Sequence, residues 1–262
     1  MNQKEKRLYL IEKLINEDPC YYGMQISDNE YDQKRMLRSL MNIRPPRKTD
    51  RKFLEVQNVY LQTELSRKGI TELDELNSIK RDLYLWQGDI TTLRCGAIVN
   101  AANSGMTGCY VPCHACIDNC IHTYAGIQLR LDCAEIMEKQ GYEEPAGTAK
   151  ITKAYNLPCD YVLHTVGPII DGEVTHQDEL LLASCYLSCL ELAEQNHVNS
   201  IAFCCISTGV FHFPNQRAAE IAIDTVQKYK KETDSRMKVI FNVFKDQDYE
   251  IYKRLLTENP SA

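Results

Sequence analysis

From residue 82 onward, short apolar runs alternate with longer amphipathic runs, and this alternation constrains the fold more than any other feature of the chain. The runs that favour buried strands are 83–86, 97–99, 148–152, 161–166, 201–207 and 239–243. Between them, the runs that favour helices are 115–139, 176–196, 215–232 and 246–257. This order predicts an α/β domain whose sheet is covered by helices on both faces.

The first 81 residues have a different pattern. Apolar residues recur there at helical spacing, and strand-like alternation is missing. The residues concerned are Leu8, Ile11, Leu14 and Ile15, followed by Leu54, Val59, Leu61 and Leu65. Pro45 and Pro46 divide the segment, because proline lacks an N–H donor and fixes its own φ. We therefore expect a helical N-terminal extension over residues 1–81 and an α/β domain over residues 82–262.

Charge and cysteine content narrow the class of function. The formal net charge of −6 argues against a general nucleic-acid binder, which would carry a basic face. No apolar run reaches the length that spans a bilayer, and the first 18 residues lack the apolar stretch of a secretory signal. Twelve cysteines in such a chain are expected to be thiols and metal ligands rather than disulfides. We expect a cytoplasmic protein with no nucleic-acid or membrane partner.

Residues 109–122 concentrate side chains that bind metals, with four cysteines, two histidines and an aspartate. Thiolate and imidazole are the ligands that Zn²⁺ prefers, so the segment predicts a metal site. Three alternatives stay open. Cys113 and Cys120 can be small buried hydrophobic residues, Cys113 and Cys116 have the spacing of a redox dithiol, and the metal can be purely structural with four ligands. Spacing does not decide between a catalytic and a structural metal.

Polar residues follow three of the predicted strands, at the ends where open α/β sheets bind ligands. Asp89 follows Gly88 and can accept an exocyclic amine, although the same position suits a helix N-cap or a turn. Asn100 and Asn103 can bond to ribose hydroxyls, or they can close an Asx turn. The glycine-containing segment 207–211 can aim backbone N–H groups at a phosphate, or it can be an ordinary loop that leads into the next helix.

Asp118 follows the predicted metal ligands and precedes His122 by four residues. It can activate a water or orient a ribose hydroxyl. Alternatively, it is a solvated helix residue or a group that orients a ligating histidine. His122 and His164 lie beside apolar residues, and we expect both to be structural. Asp118 is therefore the candidate for a catalytic carboxyl group.

Each of these motifs is weak alone, but their order along the chain is specific. The motifs are Gly88-Asp-Ile-Thr, Asn100-Ala-Ala-Asn, Ile117-Asp-Asn-Cys-Ile-His-Thr-Tyr-Ala-Gly126, Gly147-Thr-Ala-Lys-Ile-Thr, His164-Thr-Val-Gly-Pro168 and Ser207-Thr-Gly-Val-Phe211. This succession resembles the macrodomain family over residues 82 to about 257. The resemblance implies a three-layer α/β/α sandwich on a mixed sheet, with ADP-ribose bound at the strand ends.

Segment 108–116 departs from the glycine run that precedes the catalytic aspartate in MacroD-type hydrolases. Together with the helical extension, this departure is similar to a zinc-dependent branch of the macrodomains. In that branch a Cys…His-x-Cys set holds a zinc that is needed for removing ADP-ribose from proteins. The resemblance implies that the zinc ligands here are Cys109, His114 and Cys116. Cys113 and Cys120 fall at positions that the branch does not use as ligands.

The resemblance also implies roles for the other motifs. Asp89 would bind the exocyclic amine of adenine, with the backbone of Ile90 beside it. Asn103 and Asn100 would contact the distal ribose, and Asp118 would act as a base or position a water, with Asn103 holding the ribose for catalysis. The residues implied to bind the diphosphate are Ser207, Thr208, Gly209, Val210 and Phe211.

We therefore predict a zinc-dependent hydrolase that removes mono-ADP-ribose from modified proteins, and the resemblance suggests a lipoyl-carrier protein as a target. Two alternatives share the adenine and phosphate features. One is a non-catalytic module that binds ADP-ribose. The other is a hydrolase of O-acetyl-ADP-ribose or ADP-ribose 1″-phosphate with a structural metal. Asp118 and the metal ligands favour an enzyme, since a module that only binds needs neither.

Overall fold

The computed structural model describes residues 1–258, and a mixed sheet lies at its centre. The strands in these residues are β1 Thr71–Glu72, β2 Ser78–Lys80, β3 Leu83–Gln87, β4 Leu93–Arg94, β5 Ala97–Ala102, β6 Ala149–Lys153, β7 Tyr161–Val166, β8 Ser200–Phe203 and β9 Lys238–Val243. Seven form one sheet in the order β2-β3-β9-β8-β5-β7-β6, and β1 pairs separately with β4. The five central strands are parallel, whereas the edge strands β2 and β6 are antiparallel to their neighbours.

The helices follow the predicted order along the chain. Within the described residues they are α1 Gln3–Asn16, α2 Glu30–Ile43, α3 Arg51–Lys68, α4 Ile117–Ala125, α5 Ile127–Gln140, α6 His176–Gln195, α7 Asn215–Thr233 and α8 Asp246–Glu258. Helices α4 and α5 pack together against the sheet, and α6, α7 and α8 form a second packed set. The predicted α/β/α fold on a mixed sheet is confirmed. None of these helices is both long enough and apolar enough to cross a bilayer.

The single helix predicted over 115–139 is two helices in the structure. Gly126 has a φ of +98° and ends α4, so the helical path is interrupted there. A Cβ at this position would lie 2.6 Å from Nε2 of Gln57, which leaves no room for a side chain. The break makes α4 a separate nine-residue helix that contacts β5.

The three N-terminal helices have a small hydrophobic core of their own. Each begins at a polar cap, Asn2 for α1, Asn29 for α2 and Asp50 for α3, whose side chain accepts a backbone N–H bond of the first turn. Their buried apolar residues form one cluster that also includes Ile127 of α5. The N-terminal helical region is therefore packed directly against the α/β part of the chain.

The structure differs from the predicted helical extension in the segment 69–81. Gly69 ends α3, and the chain then forms the short strands β1 and β2. Strands of two or three residues are too short to show alternation in a sequence. The domain boundary at residue 82 stays a prediction, while the sheet itself already begins at Ser78.

The loops that carry the predicted site residues all follow parallel strands. Asp89 follows β3, Asn103 follows β5, and segment 207–211 follows β8. Because the carboxyl ends of parallel strands meet at one edge of a sheet, these segments lie along the same edge. The pairing of β5 with β8 makes two of the three loops direct neighbours.

Candidate active site and metal centre

The carboxylate of Asp118 lies on the first turn of α4 and is bonded to the end of β5. The amide of Asn100 donates to its Oδ1 at 2.8 Å, and the amide of Asn103 donates to its Oδ2 at 3.2 Å. Burial raises the pKa of the Asp118 carboxyl to about 6, against the opposing effects of Asn100, Arg130 and Asn103. A carboxyl group with this pKa can take up and release a proton close to neutral pH.

A buried chain of hydrogen bonds lies behind Asp118. Asn100 is fully buried in β5, and its Nδ2 lies 3.1 Å from Nδ1 of His164 in the neighbouring strand β7. The other ring nitrogen of His164 lies 2.9 Å from Oγ1 of Thr152. Burial lowers the pKa of His164 to about 3, so the ring is neutral. Since its Nδ1 accepts from Asn100, the ring carries its proton on Nε2 and donates it to Thr152.

His122 lies one turn after Asp118 on the same helix. Its Nε2 is 3.5 Å from Oδ1 of Asp118, yet neither ring nitrogen forms a hydrogen bond among residues 1–258. Burial lowers the pKa of His122 far below the ordinary value, and the positive charge of Arg130 adds to this shift. Asp118 therefore faces a neutral ring rather than a cation.

The predicted metal ligands Cys109, His114 and Cys116 converge in the loop between β5 and α4. Their donor atoms all lie within 4.8 Å of one another, and Sγ of Cys109 is 3.6 Å from Nδ1 of His114. All three side chains are partly exposed, so an ion and a further ligand can reach them. Two thiols and an imidazole suit Zn²⁺, and three protein ligands leave a fourth position free. The donor set therefore fits a zinc ion.

Cys113 and Cys120 turn away from these three residues toward α2. Sγ of Cys113 lies 3.2 Å from Oγ of Ser39 and 3.5 Å from the backbone oxygen of Arg35. Sγ of Cys120 lies 3.6 Å from Nη2 of Arg38. Both thiols are thus outside the converging group.

Asp89 caps the short 3₁₀ turn Ile90–Thr92 that follows β3. Its Oδ1 accepts bonds from the backbone N–H of Thr91 at 3.0 Å and from the hydroxyl at 2.6 Å, and its Oδ2 pairs with Lys68 of α3. Burial disfavours the ionised form, but the bonds from Lys68 and Thr91 outweigh it and lower the pKa of Asp89. The residue is both a turn cap and an ionised, partly exposed carboxylate at the strand end.

The loop after β8 presents backbone N–H groups to the surface. Among the described residues, the N–H groups of Gly209, Val210 and Phe211 form no hydrogen bond. Ser207 has a φ of +64°, and its Oγ is buried against Gly167. Consecutive N–H groups in such a turn form a concave anion site. Ser207 therefore shapes the loop through its backbone, and its hydroxyl does not face the surface.

Sequence reasoning misses the N-terminal residues that border the site. Arg38 and Asn42 of α2 bond to the loop that carries the metal ligands, and Lys68 of α3 pairs with Asp89. No spacing signal links these residues to partners so distant in the sequence. Asn119 is missed as well, although its position next to Asp118 in the 117–126 motif was an available signal, and the structure buries it fully.

Comparison with known proteins agrees with this geometry. The Macro domain family matches residues 99–222. A protein-ADP-ribose hydrolase from Treponema medium is 60% identical over 98% of this chain and 100% of its own length. This chain belongs to the macro domain family. A protein-ADP-ribose hydrolase from Staphylococcus aureus (strain MSSA476) is 50% identical over 96% of this chain and 95% of its own length.

A solved structure of another family member shares the fold. The Trypanosoma brucei macrodomain in complex with ADP-ribose superposes with a TM-score of 0.65 at 29% sequence identity. The match covers 84% of this chain and 94% of that one. The predicted macrodomain family and its fold are therefore confirmed.

Proposed function

We propose that this macro domain protein is a hydrolase that removes mono-ADP-ribose from modified proteins with a zinc ion held by Cys109, His114 and Cys116. The observation that carries the proposal is the convergence of these ligands beside the buried carboxyl of Asp118. Two relatives that match nearly the whole chain, at 60% and 50% identity, are protein-ADP-ribose hydrolases, which supports the same activity here. A module that only binds ADP-ribose needs neither the ligands nor the carboxyl.

The three strand-end loops supply the contacts for ADP-ribose. The ionised Asp89 accepts the exocyclic amine of adenine, and the free N–H groups of residues 209–211 bind the diphosphate. Asn103 lies beside Asp118 and contacts the distal ribose. Asn100 has no exposed surface and is bonded to Asp118. We therefore assign it to orienting Asp118, rather than to the ribose contact that the family resemblance implied.

Asp118 moves the proton during cleavage. Its ionised carboxylate accepts a proton from the water as that water bonds to the anomeric carbon of the distal ribose. The bond from this carbon to the protein side chain breaks, and the side chain leaves with the electron pair and takes up the proton from Asp118 or from solvent. A pKa of about 6 makes the proton transfer possible near neutral pH. The amides of Asn100 and Asn103 hold the two carboxylate oxygens in place. A bound zinc ion would supply a Lewis acid that polarises an oxygen at the distal ribose. His122 is a poor base, because burial lowers the pKa of its ring far below the ordinary value.

Two measurements on protein purified without added metal test the function. Elemental analysis should find one zinc per chain, and ADP-ribose release from a mono-ADP-ribosylated protein should stop on chelation and return with zinc. Release that persists after complete metal removal would contradict the zinc dependence but not the hydrolase. Bound zinc without any release would contradict the hydrolase and leave a binding module.

The same assay tests which protein is the target. We propose a lipoyl-carrier protein as substrate, and it should release ADP-ribose faster than an unrelated ADP-ribosylated protein of equal modification. Equal rates on both would remove that assignment.

We also place the protein in the reducing cytoplasm, since thiols must stay reduced to bind a metal.

A further inference from the structure

Helix α2 of the N-terminal region lies against the loop that carries the metal ligands. Nη2 of Arg38 donates to the carbonyl oxygen of His114 at 2.7 Å and to Oδ1 of Asn119 at 2.8 Å. It also lies 3.6 Å from Sγ of Cys120. One guanidinium nitrogen thus joins the backbone of a proposed zinc ligand to the first turn of α4.

Asn119 extends this connection to the other two ligands. The residue is fully buried, and its Nδ2 donates to the carbonyl oxygens of Cys109 at 3.3 Å and Val111 at 2.9 Å. Its backbone N–H donates to Sγ of Cys116 at 3.4 Å. Arg38 and Asn119 together therefore contact all three proposed ligands.

A second residue of α2 holds the same loop. Oδ1 of Asn42 accepts the backbone N–H of Cys113 at 2.9 Å, and its Nδ2 donates to Oγ1 of Thr123 at 2.8 Å. Segment 103–116 contains no helix or strand, so its conformation depends on bonds of this kind. The N-terminal region supplies several of them from one helix face.

We infer that Arg38 is a positioning residue of the zinc site, and that the N-terminal helical region holds the ligand loop in its metal-binding geometry. This inference rests on the zinc-dependent function proposed above. Arg38 acts through the carbonyl of His114 and the side chain of Asn119. Groups that orient metal ligands from outside contribute about ten- to hundredfold to metal affinity. Nη2 suits this position because its two N–H groups have fixed directions in the guanidinium plane, so one nitrogen can bond to two fixed acceptors together.

The release of zinc from the loaded, full-length protein to a chromogenic chelator tests the inference. Arg38→Ala should release zinc about ten- to hundredfold faster than the wild type. Arg38→Lys should be intermediate, because it keeps the positive charge but its nitrogen lies one bond nearer the backbone than Nη2 and its N–H groups rotate freely. Arg35→Ala is the matched control, since Arg35 is an exposed arginine of the same helix whose side chain, among residues 1–258, bonds only to Tyr31. It should release zinc at the wild-type rate.

The outcomes separate this inference from the proposed function. A wild-type protein that binds no zinc would overturn both. Wild-type zinc binding with equal release from Arg38→Ala would overturn the role of Arg38 alone. Thermal unfolding of the metal-free variants should show that Arg38→Ala still folds. If it does not, Arg38→Lys decides, and an unchanged release rate in that folded variant would overturn the inference.

Discussion

Two groups of cysteine and histidine side chains lie close to Asp118, and they differ in what surrounds them. We call them the loop group (Cys109, His114, Cys116) and the core group (His122, Cys133, His164). In both groups the candidate ligand atoms lie within 4.8 Å of one another. All members of the loop group are partly exposed, whereas all members of the core group are buried.

Protonation does not separate the two groups. Burial raises the pKa of Cys116 to about 12 and likewise raises that of Cys133, so a thiol in either group must lose a proton to bind a metal. Access does separate them. The side chains of the core group are buried, and both ring nitrogens of His164 already have partners, Asn100 and Thr152, so a hydrated ion has no open path to these ligand atoms. A cluster of ligand atoms therefore becomes a metal site only where an ion can reach the donors.

The largest expected effect is the loss of the loop group's metal. Cys116→Ser should reduce zinc from one per chain to none and lower ADP-ribose release by at least about a hundredfold, since even changes outside the ligand shell cost ten- to hundredfold. Elemental analysis and the release assay measure both. Cys113→Ser is the matched control, because that thiol faces Ser39, and it should keep zinc and activity. Full zinc occupancy in Cys116→Ser would show that the loop group is not the site.

Removal of a core-group histidine should act on stability and leave the metal in place. His164→Ala leaves a cavity and two buried groups without partners, so the free energy of unfolding should fall by about 3 kcal/mol. Urea denaturation measures this loss, and zinc should stay at one per chain. Thr152→Val, which removes one bond at nearly constant volume, should lose only about 1 kcal/mol. Loss of zinc from a folded His164→Ala protein would contradict the conclusion that the loop group binds the metal independently of the core group.

Gly108 lies between the two groups, because it precedes Cys109 in the chain and packs against the ring of His122. The residue has a φ of +85°, and an added Cβ would lie 2.8 Å from the ring carbons of His122. Gly108→Ala should reduce the free energy of unfolding by about 2 kcal/mol and also weaken zinc binding through Cys109. Gly172→Ala is the control, with a φ of +101° and no atom within 4 Å of the added Cβ. Similar losses in both variants would show that the contact with His122 contributes nothing.

The smallest expected effect near neutral pH comes from the titration of the core group. The folded protein holds His164 neutral down to a pKa of about 3, while the unfolded chain binds that proton near pH 6.5. The unfolded state therefore binds more protons in between, and stability is lost as the pH falls below 6.5. The titration of Asp118 changes the stability in the opposite direction. Its raised pKa makes the folded state bind the extra proton between pH 3.8 and about 6, so this group adds stability as the pH falls.

Denaturation midpoints measured on either side of about pH 6.5 check this balance. The loss of stability from His122 and His164 should exceed the gain from Asp118, so the wild type should lose stability on acidification. Asp118→Asn removes the opposing group, so this variant should lose stability more steeply on acidification than the wild type. A wild-type protein that gains stability as the pH falls would contradict the neutral, buried state of the core group.

Most of the regular structure was predictable because its signals are local. The predicted strands and helices between residues 83 and 257 recur in the structure, most with end shifts of one to three residues, whereas the strand predicted over 201–207 ends at Phe203. The exceptions have physical reasons. Strands β1 and β2 are too short to show a period, and the break at Gly126 depends on the nearby side chain of Gln57.

The amino-acid sequence was sufficient to predict the family, the order of the elements and the thiol, imidazole and carboxyl groups of residues 109–122. The folded structure was needed to show which cysteines converge, that Cys113 faces α2, and that Asn100 bonds to Asp118. It also shows that Arg38 bonds to the carbonyl of His114. A residue's ability to bind a metal or accept a proton depends on its exposure and its bonded neighbours, and those neighbours come from distant parts of the chain.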